Sequence, residues 1–113
     1  MNYRKFEIWL ADLNPHFGAE PGKTRPVVIL QTDLLTKTHP TVIILPITSQ
    51  VKKKVTILRV HLANKENGLK SSSDILIDQI RAIDKKRLQR KLGILTEQQK
   101  EKVLGNIRIL VLE

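Results

Sequence analysis

Residues 20–31 read Glu20-Pro21-Gly22-Lys23-Thr24-Arg25-Pro26-Val27-Val28-Ile29-Leu30-Gln31. Two prolines and a glycine shape a turn, and an apolar β-rich run follows it directly. The triplet Gly22-Lys23-Thr24 looks like the end of a phosphate-binding P-loop, but the spacing fails. Gly18 stands one residue too close, Phe17 occupies the required position, and a β-run sits where a phosphate-cradling helix has to start. A nucleotide-binding α/β unit is thereby rejected in favour of a β fold. Pro26 pushes Arg25 toward extended geometry, so the turn delivers a braced guanidinium to the start of a strand. The planar fork of five donors suits phosphate oxygens. The structural alternative is an ion pair with Glu20 or Asp78 that braces the sheet.

Working outward, Phe6–Leu13 has the pattern of a half-buried strand that Asn14-Pro15 ends, and Val27–Gln31 is the second strand. Thr32–Leu35 suggests a single helical turn. Thr41–Thr48 (TVIILPIT) is nearly continuously apolar, which predicts a third strand buried on both faces. A basic loop follows at Lys52-Lys53-Lys54, then a fourth strand over Val55–Leu62, a turn over Asn64–Gly68, and a fifth strand over Ser73–Ile83 that bends midway. Asp84 reads as the cap of a short basic helix that carries Leu88 and Leu92 on one face and closes at Gly93. Thr96 with Gln99 three residues on is a capping box for a final helix. Its Val103, Ile107 and Leu110 recur at helical spacing and predict core packing. The fold class is mainly β with a C-terminal helix: a five- or six-stranded small barrel in one domain spanning 1–113.

Composition bounds the function. The 113 residues carry a formal net charge of +9, a surplus that favours an acidic or polyanionic partner, nucleic acid first and an acidic protein second. Zero cysteines exclude a disulfide frame and thiolate metal sites, and suit a reducing cytoplasm. No apolar run reaches the length of a membrane span, so no membrane role is expected. His16, His39 and His61 fall on separate elements without an acidic cluster, so each reads as a loop or surface residue, and neither a metal site nor a two-histidine ribonuclease centre is expected. No cofactor is expected.

The ordered set Glu7-Ile8-Trp9, Asp12-Leu13-Asn14-Pro15, Gly18-Ala19-Glu20, Thr24-Arg25-Pro26-Val27-Val28-Ile29 and Pro46-Ile47-Thr48-Ser49-Gln50 resembles the MazF/PemK-type toxins of type II toxin–antitoxin systems. The likeness continues through Asp78-Gln79-Ile80-Arg81-Ala82-Ile83-Asp84, Arg87-Leu88 and Leu92-Gly93, and so covers nearly the whole chain. It implies an SH3-like barrel of the CcdB/MazF toxin type, a homodimer, an acidic antitoxin partner, and metal-independent cleavage of single-stranded RNA at short sequences. One departure is visible: the family usually has Gly just before the acidic residue at Glu7, and here Phe6 stands there. That position is not catalytic in the family.

Metal-free RNA cleavage uses the ribose 2′-OH as an internal nucleophile, so the protein has to help remove its proton, stabilise charge on phosphorus and protonate the departing 5′ oxygen. Arg25 suits charge stabilisation and donation to the leaving group, being too basic for the opposite role. Thr48, ending the third strand, can donate its hydroxyl to the same phosphate and matches the family's catalytic hydroxyl. Glu20 is the carboxylate on the same loop, as base or as a partner that orients Arg25. Without the resemblance, Thr48 is only a β-former at a strand end and Glu20 a solvated charge. For RNA binding, Phe17 offers a face on which one base can stack. Gln79 and Arg81 match family positions near the RNA groove and can read base edges. Ser49, Gln50 and Lys53 extend the predicted contact set along the loop after Thr48. Two other classes compete: a CcdB-like poison that binds a topoisomerase, and a non-catalytic SH3-like RNA-binding module. The C-terminal Arg108-Ile109-Leu110-Val111-Leu112-Glu113 lacks the aromatic-small ending of the CcdB class.

Overall fold

The computed structural model describes every residue except 1, 16, 17, 20–22, 64 and 65. Among the described residues, seven strands run in the order β1 (Glu7–Asp12), β2 (Thr24–Ile29), β3 (Thr41–Thr48), β4 (Arg59–Leu62), β5 (Ser73–Leu76), β6 (Arg81–Asp84) and β7 (Leu88–Ile94), followed by helix α1 (Glu97–Ile107) and a wider helical turn over Arg108–Leu112. All pairings are antiparallel. The sheet order is β4-β5-β3-β2-β1-β7, with β6 also on β3.

The apolar runs are explained by two cores on opposite faces of the central strands. Successive residues alternate between faces, so Ile8, Val28, Leu45 and Ile47 enter one cluster with Ile75, Ile77, Leu95 and Val103. Their neighbours Trp9, Val27, Ile29 and Ile44 enter a second cluster with Tyr3, Leu13, Ile83 and Leu88. From Ile44 to Thr48, β3 is buried on both faces as its composition predicts, whereas Ile43 is exposed.

The predicted strand over Ser73–Ile83 is two strands. A tight turn at Ile77–Gln79 separates β5 from β6, and both pair with the same edge of β3. Continuing the β5 register (Ile47↔Ile75) would set Asp78 against Ile44; Arg81 stands there instead, three residues on. The turn therefore absorbs three residues and lets one edge of β3 hold two segments. The predicted fourth strand shortens to Arg59–Leu62, and β2 starts earlier than predicted, at Thr24, because Asp12 of β1 pairs with it.

The basic helix predicted after Asp84 is corrected to a strand. Asp84 does cap, accepting from the Lys86 N–H at 2.8 Å, but the turn it caps lasts only Lys85–Arg87. Residues 88–94 then pair along β1 as β7, with register shifts between Ile8 and Trp9 and between Leu10 and Ala11. This added strand and the division of 73–83 raise the count above the five or six expected.

The final helix has both capping-box bonds between Thr96 and Gln99. It packs against β4, with Val103 fully buried and Ile107 against the first core. Leu110, predicted to pack in the core, lies beyond the helix and is 38% exposed. Among the described residues no helix is long and apolar enough to cross a membrane.

Candidate active site

Arg25 is set by local bonds just ahead of it. The Lys23 N–H donates to Asn14 Oδ1 at 2.8 Å, and the Leu13 N–H donates to the Lys23 carbonyl at 2.9 Å. Lys23 takes a left-handed φ of +65°, which turns the chain into β2. Arg25 is then the second residue of β2, opposite Ala11 of β1, and is half-buried.

Thr48 ends β3 and is 8% exposed. The β2–β3 ladder closes at Val27↔Pro46; extended in the same register, Arg25 stands opposite Thr48. Residues opposite each other in an antiparallel pair share a face, so the two predicted catalytic groups share the face of the second core. Thr48 Oγ1 accepts from the Gln50 N–H at 3.2 Å. The hydroxyl proton is thus left for a different acceptor. Arg81 belongs to the same face, opposite Ile44 on β6, and its Nη1 is buried with no hydrogen-bond partner. A buried, unpaired guanidinium donor is costly and marks a place where an incoming acceptor would be gained. Gln79 closes the turn between β5 and β6 and is half-buried.

On the other face, at the open end of the first core, lies a cleft of about 520 Å³. Its walls carry four cations, Lys23, Arg25, Lys70 and Arg90, around an apolar floor that includes Ile47 and Leu69. Ser49 lines it as well, and none of the described lining residues is acidic. The predicted set is thereby divided. Arg25 and Ser49 border the cleft; Thr48, Gln79 and Arg81 do not, and Arg25 stands where the two groups meet. Gln50 and Lys53 are exposed on the loop after β3. Glu20 and Phe17 lie outside the described residues.

One cluster escaped the sequence reading: His61, exposed on β4 as a surface residue, has a buried acidic partner. His61 Nδ1 lies 2.5 Å from Asp74 Oδ1, and Arg59 Nη1 donates to Asp74 Oδ2 at 2.9 Å. Asp74 is wholly buried. Burial pushes its carboxyl up, but hydrogen bonds from the Lys52 N–H, His61 and Arg59 outweigh it and hold the group below its ordinary value. The available signal was strand alternation: His61 lies between Val60 and Leu62, and Asp74 precedes Ile75. That β4 and β5 pair, bringing His61 opposite Asp74, was not written in either segment. Lys70 of the cleft was likewise unassigned.

Residues 4–111 match the family of PemK-like, MazF-like toxins of type II toxin–antitoxin systems. Among solved structures, the chain is similar to the Mycobacterium tuberculosis toxin MazF-mt6, with 26% identity, a TM-score of 0.77 and coverage of 91% of this chain and 93% of that one. MazF from Deinococcus radiodurans superposes with a TM-score of 0.86 at 21% identity, covering 100% of this chain and 99% of that one. An endoribonuclease from a mycobacterial species, solved with its cognate antitoxin, matches at 16% identity and a TM-score of 0.71 over 96% of this chain and 91% of that one. With almost its full length matched and the same mainly β architecture, the chain belongs to the PemK-like, MazF-like toxin family of type II toxin–antitoxin systems.

Proposed function

We propose that this toxin is a metal-independent endoribonuclease that cuts single-stranded RNA within short sequences. The observation that carries this reading is the β2–β3 register, which, extended beyond Val27↔Pro46, sets Arg25 opposite Thr48 on one face, beside a cleft lined by cations. A phosphodiester laid across the ends of β2 and β3 meets a guanidinium from one strand and a hydroxyl from the next. The ribose 2′-OH attacks phosphorus, the bond to the 5′ oxygen breaks, and the products are a 2′,3′-cyclic phosphate and a 5′-OH. Arg25 stabilises the charge that grows on the non-bridging oxygens and donates toward the leaving oxygen. The Thr48 hydroxyl, its oxygen already engaged by the Gln50 N–H, donates to the same phosphate. Glu20 takes the proton from the 2′-OH.

Arg81, Gln79, Ser49, Gln50, Lys53 and Phe17 bind the flanking nucleotides. The unpaired Nη1 of Arg81 supports its part in this set, since RNA would supply the acceptor it lacks. The natural inhibitor is an acidic antitoxin segment that occupies the same cationic surface, as the net charge of +9 favours. The active toxin is a homodimer working in the cytoplasm.

Purified protein is expected to cleave a long single-stranded RNA in EDTA, and Arg25→Ala to lose at least 100-fold in rate, in line with removal of an oxyanion-stabilising donor. Undiminished cleavage by a folded Arg25→Ala variant contradicts the assignment.

A further inference from the structure

Thr48, Asp74 and His61 form one transverse row across β3, β5 and β4, with Thr48 opposite Asp74 and Asp74 opposite His61. The centre of that row is a carboxylate with no solvent exposure. Its Oδ2 accepts from the Lys52 backbone N–H and from Arg59 Nη1, each at 2.9 Å, and its Oδ1 takes His61 Nδ1 at 2.5 Å. Since an ionised carboxylate only accepts, His61 carries its proton on Nδ1.

Arg59 does more than neutralise Asp74. The same Nη1 also donates to the Gln50 carbonyl at 2.8 Å. The N–H of Gln50, in turn, is the group that donates to Thr48 Oγ1. Gln50 is therefore held at both ends of its own residue: its carbonyl by Arg59, its amide by the Thr48 hydroxyl. A chain of contacts runs from the buried carboxylate through Arg59 and Gln50 to the hydroxyl that faces Arg25.

We propose that Arg59 and Asp74 are positioning residues for Thr48, aiming its hydroxyl by fixing the Gln50 peptide at the start of the loop after β3. The proposal rests on the endoribonuclease reading above. Two physical points favour it over a purely stabilising role. Burying an ion pair costs desolvation that a well-packed apolar set would avoid at similar stability, so stability alone does not call for these side chains. An unneutralised carboxylate next to Thr48 would also repel the substrate phosphate, and Arg59 cancels that charge. A hydroxyl must be held within a fraction of an ångström to donate in the transition state, and displacement by about 1 Å costs on the order of 100-fold in rate.

The test is a double-mutant cycle between Arg59→Met and Thr48→Ala, read as single-turnover cleavage of a short RNA. Arg59→Met keeps the apolar stem and loses both hydrogen bonds; if it does not fold, Arg59→Lys carries the same cycle, since it keeps the charge but its nitrogen stops one bond short of the position from which Nη1 reaches both acceptors. The expected result is a kcat lowered roughly 10- to 100-fold with KM within about threefold. In the Thr48→Ala background the same change costs less than about threefold, because the hydroxyl it aims is gone. In the wild-type background the Gln50 amide also exchanges its hydrogen at least about tenfold faster once Arg59 is replaced. Full activity in Arg59→Met, or an equal loss with and without Thr48, overturns the proposal. If the wild-type protein cuts no RNA, the endoribonuclease reading fails, and the Gln50 exchange rate alone decides: acceleration supports the positioning chain and an unchanged rate refutes it.

Discussion

Phe6 has a φ of +69°, in the left-handed region that side chains with a β-carbon rarely adopt. The resemblance to the toxin family makes this intelligible, because glycine usually stands there. Here the conformation is held by a Phe6 N–H bond to the Ile29 carbonyl and a Leu95 N–H bond to the Phe6 carbonyl. The ring packs on the first core, with the Lys5 and Lys100 ammonium groups 5.3 and 5.5 Å from its centroid. Phe6→Ala loses the packing and keeps the strain; Phe6→Gly loses the packing and sheds the strain. Gly is therefore expected to be more stable than Ala at this position by about 1 kcal/mol, the reverse of the usual order, as read from urea unfolding midpoints. Ala equal to or better than Gly would show that the left-handed turn stores nothing. At this scale the sequence was legible in placement: Arg25 stands second in β2 and Thr48 ends β3. Asp74, Arg59 and His61 were not legible, since their meeting depends on which strands become neighbours.

Elements were readable wherever a local signal decided them. The capping box at Thr96, the single turn after Thr32 and the whole of β3 stand where the sequence put them. The misreading of 88–94 has a clear cause: Leu88 and Leu92 recur at helical spacing, but the open edge of β1 captures the segment and buries Leu88 in the second core. Gly93 records that capture. A β-carbon there would sit 2.2 Å from the Asn67 carbonyl oxygen, and one on Gly68 would sit 1.8 Å from the Leu92 oxygen. The turn at Glu66–Gly68 thus crosses β7 backbone to backbone, and it leads into Leu69 and Lys70 of the cleft. Gly93→Ala is expected to destabilise by at least the ~1–3 kcal/mol of an overpacked core and to disturb the cleft wall. A variant as stable as wild type in chemical unfolding would disprove this crossing.

On the scale of the molecule, two carboxylates among the described residues are buried in a strongly basic chain. Glu7 accepts from Trp9 Nε1 at 3.0 Å and the Arg4 N–H at 2.8 Å, and pairs with Lys91 Nζ at 2.9 Å. Burial pushes its carboxyl up, yet Lys91, Trp9 and the Arg4 N–H together hold it below its ordinary value, as their counterparts do for Asp74. Both groups are charged in the fold, so on acidification the unfolded chain binds protons first. Their contribution is complete above about pH 5 and is lost as pH falls from about 4 through their folded values. Urea midpoints measured across that range should fall on the acid side, and Glu7→Gln should flatten the fall; a profile that rises toward acid contradicts the burial of these charges.

Whether Arg25 and Thr48 support attack by the ribose 2′-OH without a metal is read from both ends of each cut made in a long single-stranded RNA in EDTA. Cuts are expected within a short recurring sequence, each leaving a 2′,3′-cyclic phosphate and a 5′-OH, none of them formed by Arg25→Ala. Products bearing 3′-OH and 5′-phosphate ends, or cleavage that stops when divalent ions are chelated, would contradict it.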